Sequence, residues 1–222
     1  MPGDALIRSE ILKNQTAETI LIQPVDEHDL SLIEKQMQWI DELTDGQEYC
    51  LLAYEVDDWN RDLSPWEAPP VFGKVPFGGK ASQTLDKIQE DIRQRFGKLS
   101  DSPKRFIIGG YSLAGLFALW ASYQCNDFCG VAAASPSVWF PGFPDYVIKN
   151  DIRTDCVYLS LGDQEEKTKN ATMRTVGDAM QKIYGHMKER QTDCIFEWNE
   201  GNHFRDSDLR TAKAFAWVMN NR

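Results

Sequence analysis

The chain has 222 residues, of which 42% are hydrophobic, including seven tryptophans and eleven phenylalanines. This supply of apolar side chains is enough for a sizeable core and excludes an intrinsically disordered chain. The formal net charge of −10 disfavours contact with nucleic-acid phosphates and anionic membrane surfaces, so we expect neither as a partner.

The start of the chain and its cysteines bear on where the protein works. The first ten residues contain no basic segment followed by an apolar run, and no apolar stretch approaches the length that spans a bilayer. The cysteines fit neither a disulfide framework nor a metal site; they are Cys50, Cys125, Cys129, Cys156 and Cys194. We therefore expect a cytoplasmic protein with reduced thiols and no metal. Nothing in the sequence indicates an oligomeric state.

Strand-like and helix-like segments alternate along nearly the whole chain. In chain order they are a strand at 18–25, a helix at 30–43, a strand at 49–56, a helix at 82–96, a strand at 104–110, a helix at 113–124, strands at 130–136 and 156–162, a helix at 172–190, a strand at 194–201 and a helix at 206–221. Asp29 is the expected N-cap of the first helix, and Gly97 the expected end of the second. The alternation predicts one α/β domain over 1–222, with a mostly parallel sheet and helices on both faces.

Two segments between these elements are predicted to be loops. Residues 57–80 are polar and rich in proline, and residues 137–150 are irregular. Both follow the carboxyl end of a predicted strand, which is where parallel sheets bind ligands. A structureless segment as long as 57–80 usually forms a rim or lid over a site. We therefore expect both loops to flank the functional site.

The stretch GYSLA, residues 110–114, lies where a predicted strand meets a predicted helix. It matches the nucleophile-elbow pattern, with alanine in place of the final glycine. A strand that turns abruptly into a helix brings backbone segments close together, so the flanking residues must be small. The helix start also offers unpaired N–H groups to a developing oxyanion. We predict Ser112 as a nucleophile; Ser135 and Ser137 lack this context and are not predicted to be one.

A serine nucleophile needs a base, and the chain has three histidines. His186 lies among charged residues within a predicted helix, and His28 follows the first predicted strand. His203 lies in the loop between the last strand and the last helix, C-terminal to acidic residues at a strand end. This is the chain order that a triad built on such an elbow requires, so we predict His203 as the base.

The acid is expected after the strand at 156–162, where the chain reads GDQEE. Its task is to orient the imidazole and to stabilise the imidazole cation. Glu165 is our first choice because its longer side chain reaches further from the turn, and Asp163 is the alternative. Glu166 is interpreted as a solvated loop charge.

Backbone N–H groups are expected to hold the oxyanion. One belongs to Leu113, directly after the nucleophile. The second belongs to Val25 or Asp26, in the loop after the first predicted strand, where Pro24 has no N–H to donate.

Aromatic residues in the two loops indicate an aromatic pocket. We predict Trp59, Asn60 and Trp139 as substrate-binding residues, together with Tyr111 of the elbow. The alternative is that the tryptophans only pack the loops against the rest of the domain.

Four stretches of the chain, in the order GGYSLAG, SPSVWF, LGDQEEKTKN and EGNHF, resemble the α/β-hydrolase superfamily. Within it, the chain is most similar to the esterase family that includes enterochelin-esterase-like and esterase D-like enzymes. The similarity extends from about residue 18 to the end. It implies a triad of Ser112, His203 and either Glu165 or Asp163, which acts on carboxylic esters or thioesters without a cofactor.

The chain departs from that family at two points. The His-Gly that is usual in the oxyanion loop is replaced by Pro24-Val25, so the identity of the second donor is open. The N-terminus is expected to be shortened, because residues 1–17 leave little length for the early antiparallel strands of the fold.

The predicted reaction is hydrolysis of a small-molecule ester through an acyl-enzyme on Ser112. Two alternatives use the same fold. In one, the triad passes the acyl group to an alcohol or amine; in the other, a non-catalytic hydrolase-fold protein binds a partner. The sequence does not indicate the natural substrate or its acyl chain.

Overall fold

The structure is a computed structural model that describes residues 8–97, 103–154 and 156–221. Within these ranges the strands are β1 (Arg8–Lys13), β2 (Thr19–Val25), β3 (Tyr49–Glu55), β4 (Glu67–Ala68), β5 (Phe77–Gly78), β6 (Arg105–Tyr111), β7 (Gly130–Ala134), β8 (Cys156–Gly162) and β9 (Asp193–Asn199). The helices are α1 (Glu27–Leu43), α2 (Trp59–Asp62), α3 (Ala81–Phe96), α4 (Ser112–Gln124), α5 (Phe143–Lys149), α6 (Val176–Glu189) and α7 (Ser207–Asn220).

Seven of these strands form one sheet in the order β1-β3-β2-β6-β7-β8-β9. β1 pairs antiparallel with β3, and the other pairs in this sheet are parallel. The sheet confirms the predicted mostly parallel architecture and shows one antiparallel strand, β1, before the first predicted strand. Because the parallel strands share a direction, the carboxyl ends of β2, β6, β7, β8 and β9 lie along the same edge.

Each face of the sheet carries its own apolar core. In β2, Ile20 and Ile22 pack on one face, whereas Leu21 and Val25 pack on the other, as the alternation of side chains along a strand requires. Helices α3, α4 and α6 cover the first face, and helices α1 and α7 cover the second. This arrangement confirms the prediction of helices on both faces.

Helix α4 is buried on every side. Each of its residues from Leu113 to Tyr123 is buried. A helix that is apolar all round belongs to a core, and close packing leaves such a helix little room to move. The residue at its start, Ser112, therefore stands on a rigid support.

Several elements differ from the sequence prediction. Helix α1 begins at Glu27 instead of residue 30, because the carboxylate of Asp26 accepts a hydrogen bond from the N–H of Asp29 at 2.8 Å. Asp26 is therefore the N-cap, and Asp29 belongs to the first turn. The segment predicted to be irregular, 137–150, contains α5, and 57–80 contains α2 and the short β4–β5 ladder.

None of the helices described has the length and apolar character that crossing a membrane requires.

Phe117 is fully buried in α4, so its truncation tests how far this helix supports the fold. We expect Phe117→Ala to lower the free energy of unfolding by about 3–5 kcal/mol, because lost transfer energy and the residual cavity add. Urea unfolding followed by circular dichroism measures the change. The control is Leu43→Ala at a site that is 40% exposed, which should lose about 0.5 kcal/mol. Equal losses in the two variants would contradict the role given to α4.

Candidate active site

The turn between β6 and α4 places Ser112 in a strained conformation. Its φ is 55°, in the left-handed region, which costs a non-glycine residue on the order of 1–3 kcal/mol. The turn is crowded: a Cβ on Gly110 would lie 2.6 Å from the Cβ of Ala114, and a Cβ on Gly115 would lie 2.9 Å from the carbonyl oxygen of Gly110. Ala114 fits in place of the usual glycine because the residue facing it, Gly110, has no side chain.

Three side chains from separate loops meet at this turn. The Nε2 of His203 lies 2.9 Å from the Oγ of Ser112, and its Nδ1 lies 2.8 Å from Oε2 of Glu165. Ser112 follows β6, Glu165 follows β8 and His203 follows β9, so all three stand at the carboxyl edge of the sheet. The structure therefore brings together the predicted nucleophile, the predicted base and the first-choice acid.

Asp163, the alternative acid, points to a different partner. Its carboxylate accepts a hydrogen bond from the backbone N–H of Gly201 at 2.9 Å. This hydrogen bond lowers the pKa of Asp163 below its usual range. The side chain thereby holds the β8 loop against the loop that carries His203, without contacting the imidazole.

The second oxygen of Glu165 is held by three donors. Its Oε1 accepts hydrogen bonds from the backbone N–H of Gly162 at 2.6 Å and from the hydroxyl of Ser135 at 2.8 Å. It also accepts one from Nη1 of Arg210 at 3.1 Å. With Oε2 facing His203, each oxygen of this buried carboxylate has a partner, and its orientation is fixed.

Tyr111 supports the site from the elbow itself. Its hydroxyl donates to the carbonyl oxygen of His203 at 2.9 Å and accepts from Nη1 of Arg210 at 3.1 Å. Burial, together with the nearby charge of Glu165, raises the pKa of Tyr111 to about 12. The predicted substrate-binding residue therefore uses its polar atom to anchor the backbone of the His203 loop.

A second hydroxyl contacts the oxygen of Ser112. The Oγ atoms of Ser112 and Ser137 are 3.3 Å apart, and the N–H of Ser137 donates to the carbonyl oxygen of Ser112 at 3.0 Å. When Nδ1 of His203 carries the proton, Nε2 accepts a hydrogen bond from the hydroxyl of Ser112. The hydroxyl of Ser137 is then the donor to the oxygen of Ser112. The sequence feature that indicates a place for Ser135 and Ser137 in the site is their position in the SPS motif after β7, at the same edge of the sheet.

Ser112 lies between two lobes of one cavity region. One lobe, about 330 Å³, is called the polar lobe because it contains carboxylate, imidazole and hydroxyl groups; it is lined by Asp26, His28, Asp29, Trp59, Tyr111, Ser112, His203, Phe204 and Ser207. The apolar lobe, about 360 Å³, is lined by Trp59, Phe72, Phe77, Ser112, Leu113, Ser137, Trp139, Thr168, Met173, His203 and Phe204. Phe204, directly after His203, is 88% exposed at the mouth.

The two lobes show where the remaining predicted residues lie. Trp59 and Trp139 line the cavity, as do Leu113 and Asp26 at the starts of α4 and α1. Two predicted residues lie elsewhere, for identifiable reasons. Asn60 donates its side-chain amide to the carbonyl oxygen of Val75 at 3.3 Å, within its own loop. Val25 is fully buried in β2 and contributes to neither lining.

Metal ligands do not cluster in the part of the chain that the structure describes. Among those residues, no group of three or more histidine, cysteine, aspartate and glutamate side chains could hold a metal ion. The polar atoms around Ser112 are instead hydrogen-bonded to one another, an arrangement suited to nucleophilic catalysis by a side chain.

Comparison with known proteins bears on the fold. No family model and no curated protein matches the chain. The structure of an IroE-like serine hydrolase from Shewanella oneidensis is similar, with a TM-score of 0.76, 14% identity, and coverage of 97% of this chain and 76% of that one. The siderophore hydrolase EstA from Aspergillus nidulans has a TM-score of 0.64 at 19% identity, over 92% of this chain and 83% of that one. EstB from the same organism has a TM-score of 0.66 at 16% identity, over 96% and 88%.

These similarities extend over nearly the whole chain, and together with the sheet order they define the fold class. The protein has an α/β-hydrolase fold, as the resemblance in the sequence predicted. The structures that it resembles include a serine hydrolase and two siderophore hydrolases.

Asp29, which the sequence marks only as a helix cap, lines the polar lobe. Burial, with a further contribution from the charge of Asp26, raises the pKa of Asp29 to about 7. The folded state therefore binds more protons than the unfolded state between about pH 4 and pH 7, so stability falls as the pH rises through this window.

Asp29→Asn removes that titration. The free energy of unfolding of wild type should fall between pH 4.5 and pH 8. In the variant we expect this fall to be smaller by about 1–2 kcal/mol, a value reduced for solvent screening. Urea denaturation at a series of pH values measures the slope. Glu27→Gln, an exposed neighbour in the same helical turn, should keep the wild-type slope. A wild-type slope in Asp29→Asn would show that another group is responsible.

Proposed function

We propose that the protein is a serine hydrolase that cleaves carboxylic esters through Ser112, His203 and Glu165. The observation that carries this proposal is the continuous line of contacts from Ser112 Oγ to His203 Nε2 and from His203 Nδ1 to Glu165 Oε2, at 2.9 and 2.8 Å. Both distances allow proton transfer and orientation without rearrangement. The line ends at a cavity, where an ester can reach the Ser112 oxygen.

The proposed reaction begins with proton transfer. Ionised Glu165 accepts the Nδ1–H of His203, which leaves Nε2 free to take the Ser112 proton as the oxygen attacks the ester carbonyl. The bond to the leaving alcohol then breaks, and His203 gives its Nε2 proton to that alcohol. Water repeats the sequence on the acyl-enzyme, with His203 again as base, and releases the acid and Ser112.

Two helix N-termini are positioned to hold the oxyanion. The N–H of Leu113 lies in the first turn of α4, where backbone N–H groups have no partner within the helix. Asp26 is the N-cap of α1 and lines the polar lobe beside Ser112. We assign the backbone N–H groups of Leu113 and Asp26 to the oxyanion, because both helix starts carry positive partial charge toward the same cavity.

The shape of the cavity supports a small-molecule ester as substrate. The apolar lobe contains a contiguous aromatic wall, in which the ring centroids of Phe72 and Phe77 lie 6.1 and 6.3 Å from that of Trp139. We assign a bulky apolar part of the ester to this lobe and its polar part to the lobe beside Asp26 and Asp29. Loops 57–80 and 137–150 would then act as the walls of the site in a single-domain enzyme.

Ser112→Ala tests the nucleophile. We expect hydrolysis of p-nitrophenyl acetate to fall by about 10⁴-fold or more, because the attacking oxygen is removed, and labelling by a fluorophosphonate probe to disappear. Ser122→Ala, a buried serine of the same helix, is the control and should retain both activities. Turnover close to wild type in Ser112→Ala would overturn the proposal.

The two candidate acids are separated by a matched pair of amide substitutions. Glu165→Gln should lower kcat by about 10³–10⁴-fold, because the imidazole loses the charge that orients it and stabilises its cation. Asp163→Asn should stay close to the wild-type kcat, because that side chain contacts the Gly201 backbone instead of His203. Steady-state kinetics with the same ester for both variants measures kcat. A larger loss of kcat in Asp163→Asn than in Glu165→Gln would assign the role of the acid to Asp163.

A further inference from the structure

A buried arginine lies behind the proposed acid. Arg210, in α7, is 1% exposed and ion-paired with Glu165. Burying a guanidinium removes its favourable hydration, and a well-packed apolar side chain often stabilises a fold at least as well as a buried ion pair. Stability of the fold is therefore a weak explanation for this side chain.

The guanidinium and the imidazole contact opposite sides of one carboxylate. Nη1 of Arg210 lies 3.1 Å from Oε1 of Glu165, whereas His203 lies against Oε2. The side chains of Arg210 and Glu165 are 2% and 4% exposed, so little solvent screens this row of charges. The charge of Arg210 therefore changes how strongly the Glu165 carboxylate attracts positive charge on His203.

Arg210 also connects the loops that form the site. Its Nη1 reaches the hydroxyl of Tyr111 at 3.1 Å and that of Ser135 at 3.3 Å, and its Nη2 donates to the carbonyl oxygen of Glu200 at 2.9 Å. The guanidinium packs directly on Gly162, where a Cβ would lie 2.9 Å from Nη1. One side chain thus joins the acid loop, the elbow, the end of β7 and the loop that carries His203.

We propose that Arg210 is a positioning residue of the hydrolase, which fixes Glu165 and limits how strongly Glu165 stabilises the protonated imidazole. The proposal rests on the proposed function. Without Arg210, a carboxylate and an imidazolium would form a neutral pair, so the protonated form of His203 would be favoured. With Arg210 in place, its positive charge offsets the charge of the Glu165 carboxylate, so Glu165 attracts a proton on His203 less strongly.

Other titratable groups surround His203, and they are the same residues in wild type and in the Arg210 variants. Asp26, the N-cap of α1, and His28 and Asp29 in its first turn line the polar lobe together with His203. Asp163 contacts Gly201 at the base of its loop, and Glu200 is ion-paired with Arg205. The buried cation among these groups is Arg210, so its removal changes the local balance in one defined direction.

The test compares Arg210→Gln, which removes the charge but keeps polar atoms, with Arg210→Lys, which keeps the charge but loses the planar fork. Arg190→Gln is the control, because Arg190 is exposed and pairs with Asp151 away from the site. The readouts are kcat and kcat/KM for p-nitrophenyl acetate from pH 5 to pH 9, and fluorophosphonate labelling rates over the same range.

We expect Arg210→Gln to lower kcat by about 10–100-fold and to move the acid limb of kcat/KM to higher pH by roughly 0.5–1 unit. Arg210→Lys should lower kcat by about tenfold, because the fork that orients Glu165 is lost, with the acid limb unmoved. Arg190→Gln should overlay wild type. A normalised profile of Arg210→Gln that overlays wild type would overturn the electrostatic role.

Folding is checked by circular dichroism and thermal unfolding. An unfolded Arg210→Gln protein would leave Arg210→Lys as the deciding variant, and a wild-type kcat there would overturn the positioning role. Failure of the proposed function has a separate signature: wild-type protein would neither hydrolyse esters nor react with the fluorophosphonate. Active wild-type protein with unaffected Arg210 variants would refute only the role of Arg210.

Discussion

A carboxylate inside a protein is stable only when donors surround its oxygens, and Glu165 satisfies this condition with four groups from different parts of the chain. A backbone N–H, a serine hydroxyl and a guanidinium hold Oε1, which leaves Oε2 for His203. The position of the imidazole therefore depends on Glu165, and the position of Glu165 depends on the packing of α7 against the sheet.

The parallel sheet explains why these distant residues meet. Successive parallel strands end at the same edge, and the chain places a functional segment after almost every one of them. Asp26 follows β2, Ser112 follows β6, the serines of the SPS motif follow β7, Glu165 follows β8 and His203 follows β9. Residues far apart in the chain become neighbours because strand order, and not sequence distance, sets their spacing.

The sequence predicts the architecture well because burial on both faces leaves a clear pattern. Continuous apolar strands alternate with helices, and the structure contains each of the predicted strands and long helices, with shifts at their ends. The start of α1 is less clear in the sequence, because Asp26 and Asp29 are both good N-caps and only the backbone geometry selects one of them. Helix α5 is short, and Pro141, Gly142 and Pro144 around its start are typical of a loop in sequence.

The site is less predictable than the fold, because side-chain direction decides it. Asp163 and Glu165 follow the same strand two residues apart, and the turn after Gly162 determines which of them faces His203. Arg210 resembles an exposed helix residue in isolation. A signal for its burial exists in its spacing, since Ala214 and Val218 lie one and two turns further along the same face of α7 and are fully buried.

The late position of His203 in the chain has a consequence for biosynthesis. Ser112 leaves the ribosome 91 residues before His203. Helix α7, which covers α1 and contacts β6, β7 and β8, is synthesised later still. A nascent chain therefore contains Ser112 before the histidine that we propose as its base, and one face of its sheet has α1 but not yet α7. The contact between His203 and Ser112 and the complete cover of this face therefore both depend on elements that are synthesised after β9.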